Sequence, residues 1–197
     1  ASPAPYASCS PAGVALAQAT QATNSVCMLT TQGEIVIELY ADKAPQTVAN
    51  FLKYVNEKFY ANTLYHRVID GFVVQGGGYD TSDSSNEKKA TYAAIPLESN
   101  NGLYNYRGTI AMARTSLPDS ATTQFYFNLA NNVAGAVAPA TNLDYDPTQS
   151  GKSGYTVFGK VIAGMDAVDK IAKLAKSDTN PAMPKDTTVT YWMQQVK

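Results

Sequence analysis

The sequence predicts a mainly β domain, an antiparallel barrel closed on itself with two helices packed against it. Three observations carry that expectation. Short apolar runs recur along the chain between turn residues, only two long segments carry helical periodicity, and closing a sheet of many short strands removes its exposed edges.

From Val26 the apolar residues follow a period of two. Ile35, Ile37 and Leu39 alternate with Glu34, Val36 and Glu38, and Gln32-Gly33 supplies the preceding turn, so the domain opens with a hairpin. Pro45 then suits the first position of a helix, in which Val48, Phe51, Leu52 and Val55 form one apolar face. Further strand-like runs fall at 64 to 69, 72 to 75, 109 to 113, 123 to 129, 156 to 162 and 187 to 194. The second helix is expected over Asp166 to Lys176, with Met165, Val168, Ile171 and Leu174 inward. Thr81 to Ala90 and Asn131 to Gly154 lack periodicity. Loops as long as the second are usually functional or disordered.

Residues 1–26 form an appendage rich in Ala, Thr, Gln and Ser, and residues 27–197 the domain proper. Within the appendage, Ser10 can cap and Pro11 can open a short helix. Alanine is the first residue and no charge precedes Glu34, the pattern of a mature chain after signal-peptide removal or of a trimmed chain; a periplasmic or secreted location is expected. Cys9 and Cys27 fit that location, since a bridge would pin the appendage and contribute on the order of 3 kcal/mol. The alternatives are two unrelated thiols, or a lipidated Cys9, for which Tyr6-Ala7-Ser8 lacks the usual leucine. With 15 basic and 16 acidic residues, charge offers no case for nucleic acid or an anionic membrane as partner. No apolar run reaches spanning length.

One arginine stands out in the run from Tyr65 to Gly77. Arg67 lies among large apolar residues on an apparent strand, where its permanent charge needs partners on a neighbouring strand or a polar ligand in front of it. Gln75, across a hairpin, is the candidate partner. A two-residue turn at Asp70-Gly71 would set Gln75 opposite His66. A three-residue loop of Asp70, Gly71 and Phe72, with a left-handed glycine, would set it opposite Arg67. Local rules permit both registers.

The string His66 to Gly77 (HRVIDGFVVQGG), with GTIAMAR at 108–114, TQFYFN at 123–128 and YTVFGKVIAGMD at 155–166, closely resembles the cyclophilin family of peptidyl-prolyl isomerases, and bacterial members most of all. The resemblance runs from about Met28 to about Val196. It implies a closed eight-stranded barrel capped by two helices, an enzyme without a cofactor, and a monomer that acts on proline-containing peptides and unfolded polypeptides. It also selects the three-residue loop, because arginine and glutamine face one pocket in that family. Carried over by position, Arg67 and Gln75 are catalytic. Phe72, Val73, Met112, Tyr126 and Leu143 line a proline pocket; Ala113 and Arg114 contact the residues before proline; Gln124 orients Arg67 or the peptide; and Tyr155 occupies the place of a pocket histidine. The alternative function is a proline-peptide binding or chaperone-like module without turnover.

This chain departs from the family pattern at several of these places. Tyr126 replaces a usual phenylalanine and adds a hydroxyl that needs a partner. Val73 replaces a frequent methionine, and Asn142 stands where an aromatic commonly precedes Leu143. That aromatic helps hold cyclosporin in family members, so weak sensitivity to the inhibitor is expected.

Other motifs carry nothing. His66, the only histidine, alternates to the face opposite Arg67 and has no motif-linked nucleophile, which leaves it at most a hydrogen-bonding role at the rim. Gly151-Lys152-Ser153 lacks the first glycine of a phosphate loop, since Asp146 stands there. The Gly76-Gly77-Gly78 run reads as a strand exit, Asp144-Tyr145-Asp146 lacks calcium-loop spacing, and one histidine with two distant cysteines does not make a zinc site.

Overall fold

The computed structural model describes residues 9–197. The first eight positions of the appendage, with the Tyr6-Ala7-Ser8 stretch, lie outside them. In chain order the elements are α1 (Pro11–Ala19), β1 (Asn24–Thr30), β2 (Gly33–Leu39), α2 (Pro45–Asn56), β3 (Thr63–Leu64), β4 (Arg67–Ile69), β5 (Val73–Gly76), β6 (Thr109–Met112), β7 (Phe125–Asn128), β8 (Val157–Ala163), α3 (Met165–Lys173) and β9 (Val189–Gln195).

The strands form one antiparallel sheet of nine, in the order β3-β9-β1-β2-β8-β6-β7-β5-β4. This corrects the expected closed barrel of eight strands and two helices. The apolar run at 64 to 69 divides into β3 and β4 because its first part pairs with β9 and its last with β5; Tyr65 N donates to Thr188 O at 3.0 Å, in register with the β3–β9 pairing. The two short strands become the two ends of the sheet. The seam beside β3 is crossed by the isolated Thr63–Asp80 bridge and by Leu64 N donating to Tyr79 O at 2.7 Å, so the sheet curls without a continuous closing ladder.

The third helix, α1, lies in the appendage. Ser10 caps it through Oγ, which accepts from Gly13 N at 3.0 Å, and Pro11 opens it. Ser10 N and Oγ both donate to the Glu34 carboxylate at 2.7 Å, Ser25 Oγ donates to Ala17 O, and Cys9 is bonded to Cys27. With α1 laid over it, β1 is buried at every residue after Asn24, which is why that strand lacks a polar alternation.

The main core lies between the sheet and the helices α2 and α3. Phe51 of α2 meets Phe125 of β7 edge-on at 5.9 Å and Phe158 of β8 at 5.2 Å, and Tyr60 meets Phe125 at 5.5 Å. From α3 come Ala167, Val168, Ile171 and Ala172. A smaller cluster of Val73, Ala111, Tyr126 and Val157 lies apart from this core, with Phe72, Leu103, Ala113, Leu143 and Tyr155 packed around it. Successive residues of β6 and β7 therefore serve different clusters, as strand geometry requires.

Candidate active site

The β4–β5 hairpin has the three-residue loop. Ile69 pairs with Val73 and Arg67 with Gln75, Phe72 N donates to Ile69 O at 3.0 Å, and Gly71 adopts a φ of +74° that a larger residue would hold only under strain. Continuing across the sheet, Gln75 pairs with Tyr126 and Tyr126 with Ala111. Arginine, glutamine and tyrosine are thus side by side on three adjacent strands.

A groove of about 530 Å³ opens over this row. Arg67, Gln75 and Arg114 supply its polar edge; Phe72, Val73, Ala113, Tyr126 and Leu143 supply its apolar wall and floor, with Tyr155 and Thr141 at the rim. Gln124 lies in an adjoining cleft of about 200 Å³ that shares Gln75, Ala113 and Arg114 with the groove. Met112 is not part of the groove lining. It is buried in the main core, because the alternation of β6 turns Ile110 and Met112 to the core and Ala111 and Ala113 to the other side.

The two arginines differ in their surroundings. Arg114 is held in place: Nε and Nη2 donate to Gly154 O at 3.1 and 2.7 Å, Nη1 donates to Thr115 O at 3.0 Å, and the guanidinium lies over the Tyr155 ring at 4.5 Å. Arg67 is exposed, and among the described residues its guanidinium has no ion-pair or hydrogen-bonding partner. Its nearest aromatic neighbour is Phe72, with the ring centroid 5.9 Å away.

Beneath the apolar floor runs a buried polar network. Tyr126 Oη donates to Asn105 Oδ1 at 2.8 Å, Asn105 N and Nδ2 donate to Asp144 Oδ1 at 2.7 and 2.9 Å, and Asn128 Nδ2 donates to Asn105 Oδ1 at 3.1 Å. Asn132 Nδ2 donates to Asn128 Oδ1 at 2.8 Å and to Phe72 O at 2.9 Å, while Leu143 N donates to Asn132 O. Burial, with Tyr155 and Asp144 nearby, raises the Tyr126 pKa far above the ordinary phenolic range, so the floor stays protonated. Sequence reasoning missed Asn105, Asn128, Asn132, Asp144 and Thr141. Only Asn128 had a legible signal, since it continues the alternate face of Gln124 and Tyr126.

His66 lies outside the groove lining. Its ring packs 4.5 Å from that of Tyr79, and its buried Nδ1 has no hydrogen-bond partner among the described residues. Burial, and then the adjacent Arg67 charge, lower its pKa to about 4, so the imidazole is neutral at pH 7. Among the described residues, Cys9, Cys27 and Glu34 form a close group of metal-ligating types, but the two sulfurs are bonded to each other and do not offer thiolates. No helix among the described residues is long and apolar enough to cross a membrane.

The curled antiparallel sheet, with its groove on β4 to β7, is the cyclophilin fold. Two crystal structures of a Cryptosporidium parvum cyclophilin type peptidyl-prolyl cis-trans isomerase match it with TM-scores of 0.70 and 0.68, at 21% and 22% identity, over 87% and 86% of this chain and 96% of theirs; the second was determined in the presence of the dipeptide ala-pro. The chain belongs to the family "Cyclophilin type peptidyl-prolyl cis-trans isomerase/CLD", which matches residues 25–192, and is an enzyme of that type. Its relatives include a peptidyl-prolyl cis-trans isomerase of Acinetobacter baylyi, 48% identical over 84% of this chain and 80% of that one, and peptidyl-prolyl cis-trans isomerase B of Escherichia coli, 45% identical over 81% and 92%.

Proposed function

We propose that the groove binds an Xaa-Pro segment with the proline ring on the Phe72, Val73, Tyr126 and Leu143 surface, and that Arg67 donates a hydrogen bond to the prolyl nitrogen. The observation that carries this reading is the unpartnered guanidinium of Arg67 at the polar edge of an apolar floor.

Rotation about the bond before proline meets a barrier near ~20 kcal/mol because the amide is resonant, and reaching milliseconds requires removing roughly 6 kcal/mol. A donor aimed at the nitrogen favours its pyramidal form, which exists only when resonance is broken. The twisted transition state therefore gains more than either planar ground state. No nucleophile or proton transfer is needed, in keeping with a neutral His66 outside the groove lining. Arg114, fixed by Gly154 O and stacked on Tyr155, offers with the Ala113 backbone a rigid edge for the residues preceding proline. Gln75, opposite Arg67 in the hairpin and bonded to Gln124, offers the acceptor that would orient the guanidinium once a peptide fills the groove.

The clients in this reading are proline-containing and unfolded polypeptides, the role is to speed isomerisation-limited folding of exported proteins in the periplasm or outside the cell, and the working unit is a monomer. The disulfide that joins the appendage to the domain supports the location. The test is exchange NMR of an Ala-Pro peptide with the intact protein. Faster cis-trans exchange, with shift changes confined to groove residues, is the expected result. Binding without acceleration would replace catalysis by a holding function.

A further inference from the structure

The two glutamines beside Arg67 form a chain whose direction is set from outside the groove. Gln75 Nε2 donates to Gln124 Oε1 at 2.8 Å, and Gln124 Nε2 donates to Glu87 Oε1 at 2.6 Å. A glutamine amide has one accepting and one donating end, whereas a carboxylate only accepts. With Glu87 at the outer end, Gln124 turns its nitrogen outward and its oxygen toward Gln75. Gln75 then commits its nitrogen to Gln124. Its oxygen is left open on the side of Arg67, the residue opposite it in the hairpin; no hydrogen bond joins the two here, and this oxygen is the acceptor that the guanidinium would meet when it turns to a bound peptide. The reverse direction would set an amide NH2 against a guanidinium, donor against donor.

Local packing holds this chain in place. Lys88, next to Glu87, is tied down through N to Gly78 O at 2.6 Å and through Nζ to Phe59 O at 2.7 Å. Gly78 itself lies against the Gln124 side chain, and a Cβ there would come to 2.6 Å from Gln124 Cγ, Cδ and Nε2, so a larger residue would displace that side chain from this position.

The geometry points to Glu87 as a positioning residue for the isomerisation, acting through Gln124 and Gln75 to turn an acceptor toward the Arg67 guanidinium for its donating orientation on a bound peptide. This rests on the reading of Arg67 as the donor to the prolyl nitrogen. It assigns a function to the 81–90 loop, whose polar, unpatterned sequence suggested none.

Two substitutions separate direction from mere contact. Glu87→Gln can accept or donate and leaves the direction unset; Glu87→Lys only donates and reverses it. By exchange NMR of an Ala-Pro peptide, kcat/KM is expected to fall about threefold in Glu87→Gln and about tenfold in Glu87→Lys, with peptide affinity within about twofold of the intact enzyme. The Gln75 and Gln124 side-chain amide resonances should move in both variants. The loss should persist at about 1 M salt, where the screening length is only about 3 Å. Either variant within about twofold of the intact enzyme, unmoved amide resonances, a loss explained wholly by weaker binding, or one erased by salt would overturn the assignment. Arg67→Ala keeps the two readings apart. If it stays active, the donor assignment itself fails; if it is inactive while the Glu87 variants are not, only the role of Glu87 fails.

Discussion

The two faces of β7 solve different problems with adjacent residues. Phe125 and Phe127 turn to the main core, where Phe125 makes edge-on contacts with Phe51 and Tyr60. Tyr126 and Asn128 turn to the groove side, where each is hydrogen-bonded to Asn105. The core face is specified by volume and shape, which several apolar residues can satisfy. The groove face is specified by donor and acceptor identity, and its partners come from loops distant in sequence. A groove floor fixed in this way keeps an apolar upper surface while its position is set by polar bonds beneath.

The largest effect that sharpens this contrast is expected in the core. Phe125→Ala should cost about 4 kcal/mol in denaturant unfolding, the usual penalty for deleting a fully buried aromatic side chain. On the groove face, Asn105→Ala leaves the Tyr126 hydroxyl, the Asp144 carboxylate and Asn128 with fewer partners. We expect a loss of about 3 kcal/mol together with weaker peptide binding, measured by unfolding and by NMR titration. Tyr126→Phe removes only one donor, and Asn105 Oδ1 retains Asn128 Nδ2 at 3.1 Å, so its cost should be about 1 kcal/mol or less. If Asn105→Ala proved as mild as Tyr126→Phe, the groove floor would not depend on its polar support.

Acid tests a third region, the break between β3 and β4. His66 has a pKa near 4 in the fold, below the ordinary value of 6.5, so the unfolded chain binds more protons between these limits. Its contribution is fully present above about pH 6.5 and is lost as pH falls toward 4, by about 2 kcal/mol once partial exposure of the ring is allowed for. His66→Gln should flatten that part of the stability profile; an unchanged slope would mean that carboxylates dominate it.

Much of this arrangement was legible in the sequence. Period-two alternation located β2 and the division of β7 into two faces, the Gln32-Gly33 turn implied a partner strand before β2, and Ser10 with Pro11 marked α1. The division of the run at 64 to 69 was not legible, because Tyr65 and His66 have strand-like neighbours and only tertiary pairing, to β9 before them and to β5 after them, separates the two strands. Met112 was expected at the pocket wall by position in the family resemblance, although its own alternation assigns it to the core. The polar support of the floor was the least visible. Tyr126 announced the need for a partner, but Asn105, Asn132 and Asp144 sit in aperiodic loops, where no pattern distinguishes a buried asparagine from an exposed one.

The central claim is that one guanidinium, unpartnered among the described residues and set at the edge of an apolar groove, lowers the barrier to prolyl rotation. Exchange NMR of an Ala-Pro peptide, comparing the intact enzyme with Arg67→Ala, tests it most directly. The account predicts that acceleration falls by about a hundredfold or more in the variant while the peptide still binds the groove and the fold is unchanged. An Arg67→Ala enzyme that turns over within a few-fold of the intact protein would contradict it.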